Sequence, residues 1–195
     1  MRRLAAVAVI ALSAVGASCG DDPYEPVGVS YDPLPSVAGA ELPDLTADGE
    51  PFAFVAPDDG LLLVYFGYTN CPDACPATLG EIDRALGELD SELADRVEVA
   101  MVTVDPEHDE PLLAEYVQSF VADAHALSTD DPRRLAEVAD LFQVTYRIDD
   151  RAAGNIKVDH TTHLFAVDDE GDLVLVWTYP TAYDDIAADI EWLLS

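Results

Sequence analysis

The chain has 195 residues, half of them hydrophobic, and its 39 acidic against nine basic side chains give a formal net charge of −30. So acidic a surface repels phosphate backbones and anionic lipid headgroups, which argues against nucleic acid as a partner. It suits a cationic partner or plain solubility in a salty medium, and specifies neither.

Met1-Arg2-Arg3 followed by the apolar stretch Leu4 to Val15 has the n-region and h-region of an export signal. At 12 residues that stretch is shorter than the roughly 20 needed to span a bilayer. Gly16-Ala17-Ser18-Cys19 then resembles a bacterial lipobox, with Gly16 where a larger aliphatic residue is usual. Residues 1–18 are therefore expected to be a lipoprotein signal peptide, and Cys19 the lipidated N-terminus on the outer face of the bacterial cytoplasmic membrane. The alternative is ordinary secretion with cleavage nearby. The cysteine count favours lipidation, because it leaves Cys71 and Cys75 as a closed pair out of three. Residues 19–41 carry four prolines and little periodicity and read as a flexible tether, with a reach of roughly 25 Å. Residues 42–195 fit one domain with its own core.

Within that domain, Leu42 to Val55 reads as a hairpin turning at Ala47-Asp48-Gly49. Leu61 to Phe66 is a continuous apolar run, the pattern of a strand buried on both faces. Leu79, Ile82, Leu86 and Leu89 recur at helical spacing in a helix from Pro76 to Leu89. A strand from Val97 to Val104 ends at Asp105-Pro106, followed by a helix over 110–121 and a short strand over 126–128. Asp131-Pro132 opens a helix running to Phe142. Val144 to Ile148, His160 to Val167 and Leu173 to Tyr179 read as strands, the last two joined at Asp169-Glu170-Gly171, and Ala182 to Leu194 as a closing helix. This order predicts an α/β fold with a mixed central sheet flanked by helices and an N-terminal β-hairpin extension. The sheet is expected to be parallel at its crossovers and antiparallel at the final hairpin.

The chemistry concentrates in Tyr68-Thr69-Asn70-Cys71-Pro72-Asp73-Ala74-Cys75-Pro76. A buried strand leading into a proline-bracketed cysteine pair and then a helix is how thioredoxin-like proteins build a reactive thiol site. The spacing here is C-x-x-x-C. Helical residues four apart have Cβ atoms roughly 5–6 Å apart, wider than the roughly 3.5–4.5 Å of a relaxed disulfide. A metal bridges the wider gap through bonds of about 2.3 Å to each sulfur, so the spacing leans towards a chelate without forbidding a disulfide. Cys71, at the helix start, is expected to be the more reactive thiol, and Cys75, one turn in, the less exposed.

Four histidines are available as a third ligand. His108 reads as solvated in a polar loop, and His125 as exposed before a short strand. His160 and His163, three apart on an expected single strand, point to opposite faces, so both cannot hold one ion. His160 stands at the strand entrance beside Asp159 and serves equally well as a ligand or as a hydrogen-bonded structural residue. Two thiolates and an imidazole would suit copper, as Cu(I) or Cu(II). Structural zinc requires a fourth ligand, which Asp73 or Asp159 could supply.

Three segments carry a family resemblance: 64–76 with the cysteine pair, then Val102-Thr103-Val104-Asp105-Pro106-Glu107-His108-Asp109, and Val158-Asp159-His160-Thr161. In that order they resemble the Sco/SenC proteins, thioredoxin-like copper chaperones of cytochrome c oxidase assembly, over about Leu42 to Leu194. His108 stands where the family usually has arginine, and many relatives use a transmembrane helix as anchor. The resemblance implies that Cys71, Cys75 and His160 bind one copper ion, taken from a copper donor protein and passed to the CuA centre of oxidase subunit II. It also implies that the pair can form a disulfide. The alternative function is therefore a thiol–disulfide oxidoreductase or redox sensor acting on the oxidase cysteines, with Cys71 attacking and Cys75 resolving.

Overall fold

The computed structural model describes residues 24–149 and 157–195. Strand β1 (Glu41–Asp44) passes through a 3-10 turn to β2 (Glu50–Ala53), with Asp48 left-handed at φ 55° and Gly49 at φ 81°. Next come β3 (Leu61–Gly67), α1 (Ala74–Glu88), a one-turn α2 (Ser91–Ala94) and β4 (Val97–Thr103). The short helices α3 (Pro106–Asp109) and α4 (Leu113–Gln118) lead to β5 (His125–Leu127) and α5 (Pro132–Leu141). Strands β6 (Tyr146–Asp149) and β7 (Lys157–His160), then β8 (Leu164–Val167), β9 (Leu173–Trp177) and α6 (Tyr183–Leu193) complete the chain.

Seven strands form one mixed sheet in the order β2-β1-β5-β4-β3-β8-β9, parallel from β3 through β4 to β5 and antiparallel elsewhere. Every residue of β3 is buried, as its uninterrupted apolar run requires. Strand alternation divides its side chains between two cores. Phe66 meets Phe142 and Phe165, with Phe54 also on Phe142, in a cluster of tilted and edge-to-face rings 5.1–6.2 Å apart. Each such buried side chain stabilises the fold by about 1.5–3 kcal/mol. The opposite face carries Tyr65 and Gly67 and is covered by α1, which packs beside α6. Helix α1 buries Cys75, Thr78, Leu79, Ile82 and Ala85 along one stripe at helical spacing.

Four expectations change. Of the helix expected over 110–121 only Leu113–Gln118 forms, as α4, and α3 stands apart before it, because Pro111 has no N–H to donate to Glu107 and its ring crowds that carbonyl. The strand expected from His160 to Val167 is two strands in different sheets. β7 pairs with β6 in a separate hairpin, β8 pairs with β3, and the chain crosses between them at 161–163. Helix α1 begins at Ala74, before Pro76, so Cys75 is already helical.

The tether expected over 19–41 does not hold for residues 24–40, which lie as a strap along the sheet edge. Val29 exchanges two 2.9 Å backbone bonds with Val176, Leu173 donates to Pro35 at 2.8 Å, and Val37 is fully buried. Asp189 of α6 clamps the strap. Its buried carboxylate accepts from the Tyr24 hydroxyl at 2.6 Å, the Val27 and Gly28 amides at 3.0 and 2.8 Å, and Trp177 Nε1 at 2.7 Å. The signal peptide and Cys19 lie outside the described residues.

Candidate metal centre

After β3 ends at Gly67, the chain turns back and the Cys71 amide donates to the Tyr68 carbonyl at 3.2 Å. A buried carboxylate fixes this turn. Asp109 accepts from the Thr69 amide at 3.0 Å, the Thr69 hydroxyl at 2.6 Å and the Thr103 hydroxyl at 2.6 Å. Burial raises its pKa, and the hydrogen bonds from the two threonines only partly oppose the shift. The Asp105-to-Asp109 stretch, read from the sequence as a polar loop, thus folds as α3 over 106–109 and ties down the cysteine loop through Asp109.

Helix α1 opens without a capping bond from the Asp73 side chain. Instead the Cys75 amide donates to Cys71 Sγ at 3.3 Å, so a sulfur satisfies one of the first-turn N–H groups. Both cysteines are free thiols, Cys71 partly exposed and Cys75 fully buried. Burial first, and the contact with Cys71 second, push the Cys75 thiol up to about 12, so it stays protonated at neutral pH unless a metal displaces the proton. Gly67 makes the close approach possible. A Cβ there would lie 2.8 Å from Tyr65 Cε1 and 3.0 Å from both Cys75 Sγ and Met101 Cε.

The third group arrives from the other end of the fold. His160, at the end of β7, places Nε2 3.7 Å from Cys75 Sγ. Its Nδ1 is 2.8 Å from the Thr161 carbonyl, which can only accept, so Nδ1 carries the proton and the Nε2 lone pair faces the sulfurs. Burial lowers the His160 pKa, which keeps the ring neutral and able to ligate. The rings of Tyr65 and Tyr68 form T-shaped pairs with it, their centroids 6.3 and 5.7 Å away. The bond to the Thr161 carbonyl is what orients the ring.

The ligand atoms of Cys71, Cys75 and His160 lie within 4.8 Å of one another. Among the described residues they form the one such group of three or more His, Cys, Asp and Glu, so neither Asp73 nor Asp159 completes a four-ligand set. His108 bonds Asp105 at 2.8 Å and is 41% exposed. His125, expected to be exposed, is half-buried between Phe52, with ring centroids 4.4 Å apart, and Asp44 at 2.7 Å. His163 meets Phe165 edge-to-face, with centroids 6.0 Å apart, and is not part of the three-residue group. Its separation from His160 comes from the change of sheet; alternation along one strand, the expected cause, does not apply.

The profile of the SCO1/SenC family matches residues 44–195, more than three quarters of the chain. The chain belongs to the SCO1/SenC family. A SCO2-like protein of Rickettsia prowazekii is 35% identical over 114 residues, which cover 57% of this chain and 55% of the relative. The chain thus spans about half the length of that relative. The apo Sco1 protein of Thermus thermophilus superposes with a TM-score of 0.74 at 31% identity, covering 88% of this chain and 98% of that one. Copper-bound ScoI of Bradyrhizobium japonicum superposes with a TM-score of 0.67 at 28% identity, covering 79% and 96%. These neighbours share the thioredoxin-like fold.

Proposed function

We propose that this chain is a copper metallochaperone that binds one copper ion through Cys71, Cys75 and His160. The convergence of two sulfurs and one neutral imidazole nitrogen within 4.8 Å carries this reading. Thiolates select Cu(I), a mixed sulfur and nitrogen set accepts Cu(II), and structural zinc would need a fourth ligand that the described residues do not bring. Membership in a family whose Bradyrhizobium japonicum representative is copper-bound supports the metal assignment. The recipient in this reading is the CuA centre of cytochrome c oxidase subunit II, loaded while the protein is held at the membrane through Cys19. Holding chaperone and target on one surface raises their effective concentration. Because the described chain is docked from Tyr24 onward, an anchor at Cys19 would hold the domain within about 18 Å of its attachment, five residues at full extension.

Anaerobic titration of the reduced protein with Cu(II) tests the site. One equivalent should generate an intense sulfur-to-copper charge-transfer band, and Cys71→Ser should abolish it. Absence of stoichiometric binding would end the chaperone reading. One observation favours a thiol–disulfide role beside it: a partly exposed Cys71 stands before a buried Cys75, the asymmetry of an attacking and a resolving thiol. Copper-free protein that reduces a disulfide peptide carrying the CuA cysteines, with His160→Ala equally active, would establish that role.

A further inference from the structure

Three buried side-chain polar atoms have no hydrogen-bond partner among the described residues: the hydroxyls of Tyr65, Thr78 and Tyr116. Buried polar groups are normally paired, so each such orphan calls for a reason. Their placement supplies one. Tyr65, fully buried on β3, packs against Cys75, since a Cβ on Gly67 would meet Tyr65 Cε1 at 2.8 Å and Cys75 Sγ at 3.0 Å, and its hydroxyl faces Cys75 and Thr78 without forming a well-aligned bond to either. Thr78 lies one turn beyond Cys75 on the same stripe of α1. Tyr116 belongs to α4, and its ring pairs with Phe120. Two of the three unpaired hydroxyls thus stand on the Cys75 side of the fold, while the buried carboxylates Asp44, Asp109 and Asp189 all have donors.

We propose that Tyr65 is an outer-sphere donor to the metal-bound Cys75 thiolate, its O–H pointing at Sγ and its oxygen accepting from the Thr78 hydroxyl. The inference rests on the copper reading and adds a positioning residue to it. A neutral buried thiol is a weak acceptor and leaves the phenol unpaired. When copper binds, the Cys75 proton passes to water and the sulfur gives its lone pair to the metal. Sγ then carries anionic charge at a fully buried position, where a hydrogen bond has most effect. Two consequences have fixed signs. Donation to the thiolate lowers the energy of its lone pairs, so transfer of an electron from sulfur to Cu(II) requires a shorter wavelength. It also favours the more negative Cu(I) form over Cu(II).

The test uses the purified protein loaded with one equivalent of copper. Tyr65→Phe should keep the stoichiometry, move the charge-transfer band to longer wavelength and lower the Cu(II)/Cu(I) potential. Thr78→Val, which removes only the relay donor, should shift both in the same direction by less, and it carries the test if Tyr65→Phe fails to fold. A wild-type protein that takes up no copper refutes the copper site itself. Wild-type loading with an unmoved band and potential in a folded Tyr65→Phe variant, or in Thr78→Val where that variant does not fold, overturns the Tyr65 assignment alone.

Discussion

His160 Nε2 and Cys75 Sγ stand 3.7 Å apart although 85 residues separate them in the chain. One comes from the first crossover helix and the other from a hairpin outside the main sheet, and β3 is the common support: Tyr65 touches both sides of the contact. Because the Thr161 carbonyl fixes the proton on Nδ1, the imidazole meets the sulfurs as a neutral base. The two oxidation states should therefore depend on it unequally. Cu(I) can be held by two thiolates alone, whereas Cu(II) prefers nitrogen or oxygen as well. His160→Ala should weaken Cu(II) binding far more than Cu(I) binding and alter the charge-transfer spectrum, while His163→Ala should do neither. A competition assay with chelators for each oxidation state checks this, and loss of Cu(II) on His163→Ala with retention on His160→Ala would reverse the assignment.

The sequence made the framework legible where local patterns act alone. The apolar run 61–66, the stripe on α1 and the Asp131-Pro132 helix start each report burial or capping directly. The cysteine pair and His160 could be named as candidates, and family resemblance joined them. Other features depend on partners far along the chain. Nothing near Asp109 signals that it will receive Thr69, 40 residues back. Residues 24–40 look like a linker by composition, and only the edge of β9 and the carboxylate of Asp189 give them a place to bind. The strand break at 161–163 was hidden because both halves are β-formers that belong to different sheets.

Removal of either sulfur should abolish tight Cu(I) binding, since one thiolate loses the chelate. The two variants should differ in the metal-free protein. Cys71→Ser keeps an acceptor, a hydroxyl in place of the sulfur, for the Cys75 amide, whereas Cys75→Ser places a hydroxyl in a fully buried position. Cys75→Ser should therefore be the less stable, by about 1–3 kcal/mol, the cost of a poorly satisfied buried polar group. Urea unfolding of both metal-free variants measures the difference, and equal stabilities would count against the packing described for Cys75.

Acid stability should depend on Asp44. Burial alone would raise its pKa, but hydrogen bonds from the His125 ring, the Thr46 hydroxyl and amide, and the Ala126 amide hold it below the ordinary carboxylate value. A carboxylate depressed on folding contributes stability that is complete above its unfolded pKa, about 3.9, and is lost as pH falls through the folded value. Asp44→Asn should cost about 1–3 kcal/mol at neutral pH and flatten the stability profile below pH of about 4. Chemical denaturation across that range reads both effects. A variant with the wild-type slope would show that other carboxylates carry the acid transition.

Asp109 offers a way to loosen the metal loop without touching a ligand. Its carboxylate accepts three hydrogen bonds, two of them from Thr69, two residues before Cys71. Asp109→Ala would leave the Thr69 and Thr103 donors facing a cavity, at a cost of about 3 kcal/mol. An asparagine can keep the pattern: its oxygen accepts from the Thr69 amide and the Thr103 hydroxyl, and its amino group donates to Thr69 Oγ1 once that hydroxyl rotates. Copper affinity should accordingly fall roughly 10–100-fold in Asp109→Ala, the range seen when outer-shell partners are removed, and change little in Asp109→Asn. Thr69→Val, which removes one of the three donors, should fall between them. Chelator competition on the folded fraction separates loop positioning from global instability. Undiminished affinity in folded Asp109→Ala would mean that the helix start alone, with Cys71 Sγ bonded to the Cys75 amide, holds the thiols in place.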